Sequence, residues 1–105
     1  MLHGRYKHHH YRLSEILRQF LERKYRFAAL EMSTSEINWV TQRVRVDSAA
    51  EVMDFLRLCD RVKFAQYVPG MEETADAEEW LRGWLRSFEV EEARRRMAQV
   101  GGGDA

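Results

Sequence analysis

The chain has one cysteine, Cys59, so no internal disulfide can staple it. It has one proline, Pro69, so long stretches on either side are free of the residue that breaks helices. No run approaches the roughly 18 to 20 consecutive apolar residues that a membrane-spanning helix needs. Charge of one sign is also missing. Seventeen Lys and Arg balance seventeen Asp and Glu, which removes the overall basic excess typical of nucleic-acid binders. The chain contains no Gly-rich phosphate loop, no G-x-S-x-G elbow and no H-E-x-x-H pair, so the common catalytic signatures are absent. With no secretory leader and a lone thiol, the expected compartment is the reducing cytosol.

What remains is 105 residues, 45% hydrophobic and 32% charged, which suits one small globular domain; two halves would each be too small to bury a core. The apolar residues recur at helical spacing. Leu13, Ile16, Leu17, Phe20 and Leu21 share one face, with Arg12, Glu15, Arg18, Gln19, Glu22 and Arg23 between them, which predicts an amphipathic helix over 6–27. The hexapeptide Met32-Ser33-Thr34-Ser35-Glu36-Ile37 carries two helix-starting devices. Ser33 and Glu36 have capping-box spacing, and Met32 with Ile37 has the spacing of a hydrophobic staple. A short second helix is therefore expected over 34–43, with Ile37, Val40 and Val44 inward.

The alternating Arg43-Val44-Arg45-Val46 is too short for an independent strand and reads as a connector. Asp47 or Ser48 then caps a third helix, and Ser48 with Glu51 again has capping-box spacing. Its apolar face runs Val52, Phe55, Leu56, Cys59, Val62 and Ala65, and it stops before Pro69-Gly70. Thr74 or a neighbour opens a fourth helix expected over 74–95, striped by Ala77, Trp80, Leu81, Trp84, Leu85 and Phe88 and charged beyond Phe88. The expected fold is all-α: one small four-helix bundle over residues 4–96, with 97–105 as a flexible C-terminal tail.

The candidate chemistry is sparse. His8, His9 and His10 are adjacent, and neighbours on a helix diverge by about 100°, so they do not form a chelate; no metal and no cofactor is expected. Cys59 lies on an apolar stripe, where it reads as a small buried hydrophobe. The acid pairs Glu72-Glu73, Glu78-Glu79 and Glu91-Glu92 are sequence neighbours that point in different directions, as on a solvated face. The expectation is a chain without enzymatic activity and without a small-molecule substrate.

Binding is the alternative to chemistry. Residues 1–30 hold seven basic residues against two acids, and residues 67–105 hold five against nine. Either the basic and acidic helices attract each other, or the basic N-terminal helix faces an anionic membrane surface. Trp39 lies about 200° around its helix from Ile37 and is a candidate interface residue if the neighbouring helices leave it open. In Val62-Lys63-Phe64-Ala65-x-Tyr67, the residues Lys63, Phe64 and Tyr67 either stabilise the helix end or form a partner surface. A short helix, a connector and a longer helix also match a helix-turn-helix DNA-binding module. The would-be recognition helix, however, starts Ala49-Ala50-Glu51-Val52-Met53-Asp54, with two acids and no base.

The segments Gly4-Arg5-Tyr6-Lys7, Arg12-Leu13-Ser14-Glu15-Ile16-Leu17-Arg18, Phe20-Leu21-Glu22, Ala29-Leu30-Glu31-Met32-Ser33-Thr34-Ser35-Glu36-Ile37 and Cys59-Asp60-Arg61-Val62-Lys63-Phe64-Ala65 occur in this order. Together, over residues 4 to 88, they resemble the cytosolic C-terminal domain of bacterial Bat-type, BatD-like membrane proteins. The chain departs from that pattern at His8–His10, where acidic and aromatic residues are more usual, and at Cys59, where a small residue is usual. The resemblance implies a non-catalytic protein-interaction domain beneath a membrane span, in systems that include MoxR-type ATPases and von Willebrand factor A proteins. On that reading Met1 is an internal start, and the basic opening follows the positive-inside rule.

Overall fold

A computed structural model describes the backbone of residues 2–104 and the side chains of residues 5–99. It is all-α, and no strand occurs among the described residues. The elements are α1 (Leu2–Tyr25), a 3-10 turn (Ala29–Glu31), α2 (Thr34–Val44), α3 (Ala49–Phe64) and α4 (Met71–Asp104). Among the described residues no helix is long and apolar enough to cross a membrane. The chain divides into two compact units, one ending at Met71 and one beginning at Glu72.

In the first unit α3 is the central element, packing against both α1 and α2. Its sequence explains this: Val52, Met53, Phe55, Leu56, Leu58, Cys59 and Val62 are all buried, a wider arc than one stripe. Leu58 and Met53 lie outside the single face predicted, and they let α3 serve two neighbours. Ala65, expected at the end of that face, is exposed beyond the helix. On α1 the buried line is His10, Leu13, Leu17 and Leu21, while Ile16 is exposed and Phe20 half-buried.

The start of α2 is the capping box that the sequence specifies. Ser33 has extended backbone geometry; its Oγ accepts from the Glu36 N–H at 3.2 Å, and Glu36 Oε1 accepts from the Ser33 N–H at 2.9 Å. These bonds to Ser33, backbone first and side chain second, hold the Glu36 carboxyl below its ordinary value of 4.5. Arg18 ties α1 to this corner, donating to the Met32 carbonyl and to Thr34 Oγ1 while also donating to Ser14 Oγ at 3.2 Å.

Two expectations about this region need correction. The inward pair on α2 is Ile37 with Thr41, not Val44, which is exposed. Thr41 tolerates burial because its hydroxyl donates to the Asn38 carbonyl at 2.8 Å. Ser48 is the N-cap of α3 but sits in the left-handed region (φ 55°) and makes no side-chain cap hydrogen bond, so the second capping box does not form. The turn is held instead by Val46 N–H on the Thr41 carbonyl and Asp47 N–H on Tyr25 Oη.

Non-glycine residues in the left-handed region flank the helices throughout the first unit: Arg26 after α1, Arg45 as C-cap of α2, Ser48 before α3 and Gln66 after it. Arg26 ends α1 two residues earlier than periodicity predicts, and α3 ends at Phe64 for the equivalent reason.

The second unit is the rest of α4, which begins at Met71, directly after Pro69-Gly70, so Thr74 is an internal residue and not its cap. The predicted stripe is present, with Ala77, Leu81, Trp84 and Phe88 buried and Trp80 and Leu85 half-buried. Trp80 stacks on Trp84 with centroids 5.9 Å apart, and Trp84 meets Phe88 edge-on at 4.8 Å. Beyond Phe88 the helix is supported by the pairs Glu91–Arg95 and Glu92–Arg96 at 3.0 and 2.9 Å. In both, the acid precedes the base by four residues, the favourable order. This ladder explains why the helix passes residue 95.

Candidate functional site

The four residues singled out as a surface fall in two places. Trp39 lies midway along α2, 59% exposed, and its ring is covered by the Arg43 guanidinium at 4.1 Å, one helical turn on. Lys63, Phe64 and Tyr67 lie at the C-terminal end of α3, where they gather around the α1–α3 seam.

This second place is built by the geometry of the helix end. Phe64 is the last residue of α3 and is 71% exposed, so it does not pack down onto the turn. Gln66 then takes a left-handed conformation (φ 54°), which turns the chain back so that the Ala65 and Tyr67 N–H groups both donate to the Arg61 carbonyl at 3.1 Å. Tyr67 is thereby brought beneath the Arg61 guanidinium, 5.2 Å from its ring centroid. Lys63 reaches across to α1, with Nζ 4.5 Å from the Tyr11 ring and 5.0 Å from the Phe64 ring. Two basic residues in the last turn also suit the partial negative charge of the helix end.

Tyr11 is a member of this surface that the sequence pattern does not single out. It is an exposed aromatic one turn after Lys7 on a helix whose apolar stripe lies elsewhere, and that spacing is the one signal for it. Along the same seam are two clefts. One, of about 220 Å³, is lined by Tyr6, Lys7, Val62, Gln66, Tyr67 and Val68. The other, of about 120 Å³, lies on the far side of Tyr11 and Lys63 and includes Ser14, Glu15, Arg18, Cys59 and Asp60.

Cys59 forms part of that second wall but is 3% exposed. Burial pushes its thiol up to about 12, with the Asp60 charge adding to the effect and Arg18 opposing it. A thiol so disfavoured as thiolate is a weak nucleophile. The histidines diverge around α1: His8 is exposed, His9 half-buried and His10 fully buried. Because a carbonyl only accepts, His10 Nδ1–H donates to the Tyr6 carbonyl, at 2.9 Å. Nε2 is buried and has no hydrogen-bond partner among the described residues. Among the described residues no cluster of three or more His, Cys, Asp or Glu is arranged to hold a metal ion.

The outer face at the start of α3 exposes Glu51, Asp54 and Arg57, with Arg57 paired to Asp54 at 3.5 Å. A phosphate backbone approaching that face would meet acids before it met a free base. Set against known protein families, curated proteins and solved structures, the chain matches none of them.

Proposed function

We propose that this chain is a non-catalytic protein-interaction domain that receives its partner on the surface formed by Tyr11, Lys63, Phe64 and Tyr67. The observation that carries the reading is Phe64, 71% exposed at a helix end, with the Lys63 ammonium lying near both its ring and that of the exposed Tyr11. A large apolar ring left in water costs about 2 kcal/mol of unrealised burial, and contact with a partner would recover it. Aromatic residues ringed by basic side chains are also the composition enriched in the energetic centres of interfaces. Trp39 with Arg43 is a second, smaller surface of the same kind.

The order of motifs along residues 4–88 supports a finer reading: a cytosolic domain of a membrane-anchored, BatD-like protein, acting with MoxR-type ATPases and von Willebrand factor A proteins. The basic opening of α1 would then lie near the inner, anionic membrane face.

The test is site-specific photocrosslinking in the native cell, with benzoylphenylalanine replacing Phe64 and, as control, the exposed Arg82. A discrete protein adduct at 64 and none at 82 is the expected result. Equal adducts at both positions, or none at 64, would remove this surface as a docking site.

A further inference from the structure

We propose that the end of α4 beyond Phe88 pairs with the same segment of a second copy of this chain, as a short parallel coiled coil centred on Val90 and Met97. The proposal goes beyond the docking reading at Phe64 and does not depend on it. Every residue from Glu89 to Gln99 is exposed, so this part of the helix stands in solvent on all sides. A free helical end of that length is marginal in water, even with two ion pairs along it. Two large apolar residues are nonetheless set on it, Val90 at 47% and Met97 at 76% exposure. Ala93 stands between them, and the sequence brings Val100 to the next position of the same series. That alternation of three and four residues is the seam of a coiled coil, with Val90 and Met97 at a and Ala93 and Val100 at d.

This seam does not prolong the stripe of Leu81, Trp84 and Phe88, because Val90 lies about 200° around the helix from Phe88. It is a separate face. Towards the N-terminus the same register meets Arg86 and Glu79 at d, which confines the contact to the stretch after Arg86. The charges choose the occupant. Glu91 and Glu92 are paired along their own helix with Arg95 and Arg96, whereas Glu89 and Arg94 make no ion pair among the described residues. Those two are the residues that flank the seam, Glu89 at g and Arg94 at e. In a parallel pair a g residue faces the e residue five positions on in the other helix, and five is the interval from Glu89 to Arg94. The segment is its own complement. A two-fold axis along the seam sets Glu89 of each copy against Arg94 of the other, so one chain supplies both halves of the match.

The experiment is sedimentation equilibrium of the full chain from about 10 µM to 1 mM, a range set by the smallness of the seam. The mean mass should climb from that of one chain towards that of two as concentration rises. Met97→Glu puts a charge into the seam at an exposed site, so it should hold the mass of one chain throughout. Its thermal melt at low concentration should match the parent's. Glu89→Arg and Arg94→Glu should each weaken self-association about tenfold, because each sets two like-charge pairs across the axis. Mixed in equal amounts, the two variants should associate as tightly as the parent, since the mixed pair has opposite charges at both contacts.

The mass of one chain at every concentration of the parent would overturn the proposal. Association that survives Met97→Glu would do the same, by placing the contact on another face. Charge variants that pair as the parent does, or that regain nothing on mixing, would overturn the parallel order of the two copies and the proposal with it.

Discussion

Replacing Ser33 by Ala removes one bond of the capping box and leaves the other in place. The Glu36 N–H loses its acceptor at 3.2 Å, while residue 33 keeps the backbone N–H that donates to Glu36 Oε1 at 2.9 Å. N-cap deletions of this kind cost about 0.5 to 2 kcal/mol. Here the cost should fall in the lower half, about 0.5 to 1 kcal/mol, because both residues are exposed and water can reach the orphaned N–H. In urea, with a slope of about 1.5 kcal/mol per molar, the midpoint should drop by about 0.3 to 0.7 M. Ser35→Ala is the control. It lies inside the first turn, where Ala is the better helix former, so its midpoint should hold or rise slightly.

A second readout separates capping from general destabilisation. The Glu36 carboxyl titrates below 4.5 in the folded chain because of its bonds to Ser33. A depressed folded value means that its stabilisation is present above the unfolded value and is lost as pH falls through the folded one. In Ser33→Ala the Glu36 titration followed by NMR should move up towards 4.5 without reaching it, since the backbone bond survives. Equal losses for Ser33→Ala and Ser35→Ala, or an ordinary Glu36 titration in the parent chain, would refute the reasoning.

Three further outcomes follow from local geometry. Cys59 should resist an aromatic disulfide reagent in the native chain at pH 8 and react fully in denaturant; prompt native labelling would place it outside the core. Its raised titration favours the folded chain below the ordinary value of 9.0, an advantage lost as pH rises towards about 12, so Cys59→Ala should flatten the alkaline fall in stability measured by denaturation. Gly83 sits inside α4, and a methyl group on its Cα would meet nothing within 4 Å, so Gly83→Ala should stabilise by about 0.8 to 1 kcal/mol, read as a higher urea midpoint. A lower midpoint would show that the helix is not continuous there.

The parts of this fold legible in the sequence are those set by neighbours within a turn or two. The stripe of α4, the Leu13, Leu17 and Leu21 line of α1, the Ser33–Glu36 box and the burial of Cys59 all follow from spacing alone, whereas Ile16, which the same spacing turns inward, is exposed. The misreadings share a different cause. Ser48 and Glu51 have the spacing of a box, but the crossing from α2 to α3 holds Ser48 in a left-handed turn, a tertiary demand that local pattern does not express. Thr41 displaces Val44 from the core because a hydroxyl that bonds its own helix can be buried cheaply. His10 joins the α1 line for a similar reason, its Nδ1–H satisfied by the Tyr6 carbonyl. At the candidate surface Lys63, Phe64 and Tyr67 are legible from their place at a helix end, but Tyr11 is not, because its role depends on which turn of α1 meets Lys63.

The left-handed residues at 26, 45, 48 and 66 carry a consequence for variation in this protein. A β-branched side chain is severely strained at positive φ, and proline cannot adopt it. Val, Ile, Thr and Pro are therefore closed to these four positions, whereas Gly, Asn and Asp are open. Apolar stripes recur in countless helical chains and exchange Leu, Ile and Met freely. Any distant chain that shares this three-helix arrangement must spare the same four turns. The intervals between these tolerant positions, of 19, 3 and 18 residues, are a sharper fingerprint of the fold than its core.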